Sequence, residues 1–376
     1  MSRSLTFLGS GFSPFDVLFV DMLSEHFDVT YLTLNPHPVL RFKSVKPNVV
    51  KSPLTFTYSV AALRPFDYLV SWPSLRSAIF RSKPDVVVGC YATTYGFLAA
   101  LSGFRPLVLM AFGSDVLLDP LHPVKSRAVR YAISQADLVV TPGKTTSDAT
   151  LALGGDPRKV ISLPWIDLEW VAGIGRGRDL ASHGSARRAS SRVVLCVRNH
   201  EPVYNVALVV RAFSTVRSKY PNAVLVLAGH GSLTSSLHKL VNELGLNDAV
   251  LFTGLLPRRE VIALLDQADI YVSASFSDGT SASLLEAMSR GVPVVVSDIP
   301  GNREWVREGE NGLLFDPHSD DKLAEKIMLL LDKRMLADQM SRQAEIDLSQ
   351  KVDWRRDTDR FVSRVLGLIT SSDQVQ

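Results

Sequence analysis

The stretch from Tyr271 to Pro317, YVSASFSDGTSASLLEAMSRGVPVVVSDIPGNREWVREGENGLLFDP, decides how the rest of the chain is read. It opens on a short apolar run bounded by Ser275 and Ser277, the pattern of a buried parallel strand that ends in a polar loop. The loop is Asp278-Gly279-Thr280-Ser281. Ser281 or Thr280 is placed to cap the helix that Leu284, Leu285, Ala287 and Met288 then form, so free backbone N–H groups and the positive end of a helix face the loop. Such an end takes an anion. Gly291 closes the helix, and Val292 to Val296 reads as the next strand.

Two carboxylates bracket the loop, Asp278 before it and Glu286 two turns into the helix. A diphosphate on the helix end would leave Glu286 to accept hydrogen bonds from a ribose diol, with Asp278 near a sugar beyond the phosphates. The arrangement resembles the family 4 retaining glycosyltransferases of the GT-B fold, whose signature is two acids eight residues apart around a glycine-rich loop, the spacing of Asp278 and Glu286. Gly291-Val292-Pro293 to Ser297-Asp298, then Gly301 and Glu304, then Glu310-Asn311-Gly312-Leu313-Leu314 fall where that family has its strand, its loop and its closing turn. The family's first acid is usually Glu, and Asp278 is shorter by one methylene.

The resemblance implies an α/β chain of two Rossmann-like, doubly wound parallel-sheet domains facing a cleft, donor on the second and acceptor on the first. It implies retaining transfer of a sugar from a nucleotide diphosphate sugar to a hydroxyl of a lipid-linked or glycan acceptor. Neither cofactor nor metal is expected, since a helix end and cations stand in for the metal. A reading of another class is a non-catalytic GT-B relative that binds a nucleotide sugar or a partner subunit. A nucleotide-sugar epimerase of the same fold fits the Glu304 and Asn311-Gly312 context less well.

Upstream of the opening stretch, Arg192 to Val197 reads as a strand that ends in Arg198. The family pattern here is Gly-Arg-Leu followed closely by Lys-Gly, in which both cations neutralise the donor diphosphate. Arg198 fits the first, whereas Tyr204 and Asn205 stand at the Lys and Gly positions. His200 is a hypothetical replacement cation beside phosphate. The strand Ala223 to Ala228 leads to Gly229-His230-Gly231, and Val250 to Gly254 is the next; the resemblance places these glycines toward the nucleotide and Thr253 and Gly254 beside the base. Donor contacts implied in this half are thus Arg198, Gly229, Gly231, Thr253, Gly254, Gly279, Thr280, Ser281 and Glu286.

In the first half, the strand Ser4 to Leu8 runs into Gly9-Ser10-Gly11 and a helix over Val17 to His26. By resemblance Gly9 and Gly11 lie close to the transferred sugar or the acceptor. Helical spacing over Ser74 to Ser82 stops at Pro84, followed by a strand over Asp85 to Gly89. The strand Leu107 to Met110 delivers Phe112-Gly113-Ser114-Asp115, where the family often has His-Gly-Ser-Asp. Phe112 replaces the His, Gly113 is a candidate sugar contact, and Asp115 either orders the loop, as an Asx turn residue does, or touches acceptor. The catalytic candidates are therefore Arg198, Asp278, Glu286 and Asp115.

The pattern predicts a first domain over 1–170, a Gly, Ser, Ala and Arg-rich linker over 171–192, a second domain over 193–353 and a last helix over 354–376 that returns to the first domain. With 376 residues, 46% apolar and 21% charged, the chain can bury two cores. Its longest apolar runs, such as Leu107 to Phe112, fall far short of the roughly 20 residues of a membrane span. Cys90 and Cys196 lie in different predicted strands, so a disulfide framework is not expected and a reducing, cytoplasmic compartment is. Residues 1–165 carry sixteen Lys plus Arg against eleven Asp plus Glu, densest at Arg41, Lys43, Lys46 and Lys51. That excess suits peripheral contact with an anionic membrane or a phosphorylated lipid carrier, or equally a merely solvated face; no nucleic-acid motif accompanies it.

Overall fold

A computed structural model describes residues 3–11, 13–35, 42–43, 45, 47–50, 64–175 and 191–373. The chain forms two compact units, Met1–Trp165 with Arg355–Gln376, and Ile166–Trp354.

The first unit alternates strands and helices: β1 (Ser4–Leu8), α1 (Pro14–Leu23), β2 (Asp28–Thr33), β3 (Asn48–Val49), α2 (Arg64–Arg81), β4 (Val86–Cys90), α3 (Tyr95–Ser102), β5 (Leu107–Met110), α4 (Ser114–Leu117), α5 (Pro123–Gln135), β6 (Leu138–Thr141), α6 (Lys144–Ala152) and β7 (Val160–Ser162). Strands β4, β5 and β6 are buried along their whole length, and their unbroken Val and Leu runs are what a sheet covered on both faces requires. All pairings are parallel, in the order β3-β2-β1-β4-β5-β6-β7. Helix α2 begins ten residues before the predicted Ser74 and runs through Pro73. The basic positions Arg41, Lys46 and Lys51 lie outside the described residues.

The second unit opens with α7 (Leu168–Gly173), which occupies the start of the stretch expected as a linker; residues 176–190 of that stretch lie outside the described ones. It continues with β8 (Arg192–Val197), α8 (Val206–Lys219), β9 (Ala223–Ala228), α9 (Thr234–Glu243), β10 (Val250–Gly254), α10 (Arg258–Leu265), β11 (Ile270–Ser273), α11 (Ala282–Ser289), β12 (Val294–Ser297), α12 (Pro300–Arg303), β13 (Leu313–Phe315), α13 (Asp320–Asp332) and α14 (Arg334–Lys351). Its sheet is also all parallel, ordered β10-β9-β8-β11-β12-β13. One core layer packs α8 and α13 on the sheet through Phe213, Leu225, Val272 and Ile327; the other packs α10, α11 and α14 through Ile262, Tyr271, Leu285 and Leu348. Burial of this kind is worth roughly 1.5–3 kcal/mol per large side chain.

The last helix, α15 (Trp354–Asp373), belongs to the first unit from Arg355 onward. There Phe361 meets Phe19 of α1 edge-on at 6.5 Å, and Arg360 and Arg364 donate to the carbonyls of Ser162 and Arg158. No helix among the described residues is long and apolar enough to cross a membrane. Cys90 and Cys196 are free and buried, and burial pushes the Cys196 thiol up to about 12.

Candidate functional site

In the second sheet the winding direction reverses between β8 and β11, which are hydrogen-bonded neighbours. Ligands of doubly wound sheets gather at the carboxyl ends of the strands on either side of such a reversal. Arg198 follows β8 at that edge, and the segment from Ala274 to Ser281 follows β11. The guanidinium of Arg198 bridges the two. Its Nε donates to Ser273 Oγ at 2.8 Å, its Nη2 to Ser281 Oγ at 2.5 Å, and its Nη1 lies 2.9 Å from Asp278 Oδ2 in a close ion pair not aligned as a hydrogen bond. Burial opposes the charge on Arg198, but Tyr271, Asp278 and Tyr204 raise its pKa above the ordinary arginine value.

Tyr204, at the family's Lys position, puts its ring under the Arg198 guanidinium at 5.4 Å. Asn205, at the Gly position, holds a left-handed φ of +49°. After glycine, asparagine is the residue that tolerates this conformation best, so the backbone shape of the turn survives the loss of the Gly. The second cation does not.

Helix α11 starts as its sequence predicts. Ser281 is the cap, accepting from the Leu284 amide at 3.2 Å. Among the described residues, no backbone amide from Gly279 to Ser283 has an acceptor, and Thr280 Oγ1 is buried without a partner. Five N–H groups and the positive helix end are therefore uncompensated beside Arg198, an arrangement suited to phosphate. Beneath the loop, hydroxyls hold it to the sheet: Tyr271 to Ser283 at 2.8 Å, Ser283 to the Val197 carbonyl at 3.1 Å, and Ser297 to the Ser275 carbonyl at 2.6 Å. Gly301 lets a second segment pass under it, since a Cβ there would come within 2.2 Å of the Asp278 carbonyl oxygen.

Glu286 is buried, and it points to a charge and not to hydrocarbon. Its Oε1 accepts from Arg258 Nε at 2.6 Å. Arg258 opens α10 and stacks over the Trp170 ring of α7 at 4.5 Å. Burial pushes the Glu286 carboxyl above the usual range, and Arg258 pulls it partly back. Arg258 is not legible from local spacing, because its partner lies 28 residues away on another helix.

The glycine turns and His200 have structural explanations. A Cβ at Gly229 would sit 2.0 Å from the Arg198 carbonyl oxygen, and one at Gly231 would sit 2.6 Å from the His200 carbonyl oxygen. These glycines admit the backbone that carries Arg198. Gly229 also bridges to Gly254, whose φ is +71°, and the Thr253 hydroxyl donates to the Gly254 carbonyl at 3.2 Å. The surroundings of His200 disfavour the charge that a replacement cation needs. His200 is 1% exposed, its Nδ1 is paired with Thr234 Oγ1 at 2.9 Å, and burial with His230 and His238 nearby lowers its pKa, so it is neutral near pH 7.

In the first unit, Asp115 orders its loop. Its Oδ1 accepts from the amides of Phe112 at 3.0 Å and Gly113 at 2.8 Å, and its Oδ2 from Ala92 at 2.7 Å. The carboxylate is wholly buried, which removes it from contact with any acceptor, and burial pushes it up to about 6 against those amides. Phe112, in place of the family's His, joins a cluster with Trp165 at 4.4 Å and Phe15 at 6.0 Å. Gly9 makes room for Asp16 and Tyr31, whose side-chain oxygens would each lie 2.6 Å from a Cβ there, and the Gly11 amide donates to the Tyr31 hydroxyl at 2.8 Å. Gly113 has a φ of +140°. An Asp-x-Asp triplet, Asp357-Thr358-Asp359, occurs within α15, and no three His, Cys, Asp or Glu among the described residues gather as a metal would need.

Residues 4–142 match the family model described as glycosyl transferase 4-like, and residues 178–347 match that of glycosyl transferases group 1. Together with the two parallel-sheet units, these matches define the class, and the chain is a GT4-like glycosyltransferase of the GT-B fold. It is 25% identical, over 81% of its length and 80% of the relative's, to the N-acetyl-alpha-D-glucosaminyl L-malate synthase of Bacillus anthracis. It is 27% identical, over 64% of its length and 65% of the relative's, to a GDP-mannose-dependent alpha-(1-6)-phosphatidylinositol monomannoside mannosyltransferase of Mycolicibacterium smegmatis. The crystal structure of Anabaena HepE in complex with UDP and glucose superposes with a TM-score of 0.79 at 18% identity, covering 97% of this chain and all of the other.

Proposed function

We propose that the chain transfers a sugar from a nucleoside diphosphate sugar to a hydroxyl of a glycan or lipid-linked acceptor, with retention at the anomeric carbon and without a metal. The reading rests on one observation above all: the amides from Gly279 to Ser283, unpartnered among the described residues, beside the Arg198 guanidinium at the carboxyl edge between β8 and β11. Helix end and guanidinium together would stabilise the charge that grows on the departing diphosphate, the term on which such reactions lean most. As the anomeric carbon–oxygen bond breaks, its electron pair leaves with the nucleoside diphosphate. The acceptor oxygen bonds to the same face, and its proton passes to the departing phosphate oxygen. Asp278 faces the donor sugar, Glu286 the ribose, and Thr253 and Gly254 the base. The UDP bound to Anabaena HepE makes a UDP-sugar the first donor to try.

The alternative of a non-catalytic nucleotide-sugar binder draws support from Tyr204, which supplies a ring and no second charge, and from Asp278, which already neutralises Arg198. Radiolabelled UDP- and GDP-sugars incubated with the protein distinguish the two. Slow release of free nucleotide without acceptor, and transfer with the donor's anomeric configuration kept, are expected. Binding with no release and no transfer to any glycan or lipid pool refutes the enzymatic reading.

A further inference from the structure

Glu286 has one carboxylate oxygen committed to Arg258 Nε, while among the described residues no hydrogen bond engages its Oε2. Arg258 Nη2 is also without a partner, although it is buried. An acceptor and a donor are thus left open on two side chains already locked together at 2.6 Å. The Trp170 ring fixes the plane of the guanidinium, since it lies 4.5 Å from its central carbon. Trp170 is itself held: Asp167 caps α7 by accepting from the Trp170 amide at 2.9 Å, and Arg290 donates to the carbonyls of Val171 at 3.0 Å and Ile174 at 3.2 Å.

From this geometry we infer that Arg258 and Glu286 act as one reader of the donor's ribose, in which Glu286 Oε2 accepts from the vicinal hydroxyls and Arg258 Nη2 donates to one of their oxygens. The inference rests on the donor reading above and adds to it a second residue and a selectivity. A carboxylate alone accepts from any hydroxyl. A fixed donor and acceptor side by side match a diol and leave two buried polar groups unpaired when the diol is absent, which is costly. The chain would therefore discriminate ribonucleotides from their dideoxy forms through Arg258 as much as through Glu286.

The pair also has to keep Glu286 ionised. Burial favours the protonated acid, and Arg258 is the charge that counters it. The other charged groups around α11 are engaged elsewhere or exposed: Arg198 pairs with Asp278 and Ser281, Arg290 is bound bidentately to Asp266, Glu345 of α14 lies against Gly291, and Glu169, Arg259 and Arg342 are exposed. Without Arg258 the Glu286 pKa rises further, so diol binding fails at a higher pH as the solution is acidified.

The test is isothermal titration of UDP and GDP, and of their 2′,3′-dideoxy forms, into the wild-type chain, Arg258→Met and Arg258→Lys, repeated between pH 5 and 8. The wild type should bind one of the two nucleotides and lose about tenfold or more with its dideoxy form. Arg258→Met should weaken ribonucleotide binding by a similar factor, narrow the ribo-to-dideoxy ratio, and lose affinity at a higher pH than the wild type. Arg258→Lys should restore the pH profile while leaving the ratio narrowed, because Lys keeps the charge without the planar fork. Equal ribo-to-dideoxy ratios and equal pH profiles in wild type and Arg258→Met overturn the inference. So does a wild type that binds the dideoxy form as well as the ribonucleotide, an outcome that needs no variant to fold. A wild type that binds neither nucleotide instead overturns the donor reading itself.

Discussion

The loss of Arg290 should cost the second unit much of its stability. Arg290 Nε and Nη2 each meet a different oxygen of Asp266 at 2.7 Å, and both side chains are about 5% exposed or less. Its Nη1 holds the carbonyls of Val171 and Ile174, so one guanidinium ties α11, α10 and the segment around α7 together. Replacing it with Met keeps most of the volume but leaves the Asp266 carboxylate buried and unpaired. Breaking a buried pair from one side costs about 3–5 kcal/mol, and two carbonyls lose their donor besides. Arg290→Met should therefore lower the unfolding free energy of the second unit by roughly 3–5 kcal/mol. Adding Asp266→Asn removes the stranded charge and should recover about half of that or more. Chemical denaturation followed by tryptophan fluorescence measures both. A loss below about 1 kcal/mol in the single variant, or a double variant no more stable than the single, would refute the view that the stranded carboxylate dominates.

Two further outcomes follow from single residues. The Asp115 carboxyl is held near 6 in the fold against an ordinary 3.8, so the unfolded chain releases this proton first as pH rises. Its contribution to stability accordingly falls between those values, by roughly 3 kcal/mol. Asp115→Asn should erase that part of the pH dependence, read as the difference in denaturation midpoint between pH 4 and 7; an unchanged difference counts against a buried, protonatable Asp115. Gly301→Ala puts a Cβ 2.2 Å from the Asp278 carbonyl oxygen and 2.7 Å from that of Gly279, so the loop must move. Nucleotide affinity should drop about tenfold or more, whereas Gly367→Ala, with nothing within 4 Å, should bind as the wild type does. Equal affinity in both variants would mean that the loop is not where phosphate is held.

Much of the second unit was legible because its signals are local. Ser281 caps the helix that its neighbours predict, and β8 runs over Arg192–Val197 as read. Such features depend on residues within one turn or one strand of each other. The misreadings have the opposite character. Helical spacing is visible only over Ser74 to Ser82, yet α2 starts at Arg64 and passes through Pro73, which has no amide to give. Helix α14 went unread, since its sequence from Arg334 to Lys351 is strongly polar and only a few positions such as Met340 and Leu348 face inward. Arg258 and the neutral state of His200 depend on partners from other strands and helices, and no spacing in the sequence encodes those. The resemblance singles out Asp115 just after β5, but only the three amides around it, one of them on Ala92, decide what it does.

The return of α15 to the first unit sets an order of events during synthesis. Phe361, Val365 and Ile369 are buried, so the first unit stays unfinished until α15 has left the ribosome. The unit encoded in the middle has its whole sequence available earlier and can settle first. Nascent chains stalled shortly before Arg355 should therefore protect the middle unit from protease while the leading portion is still cut.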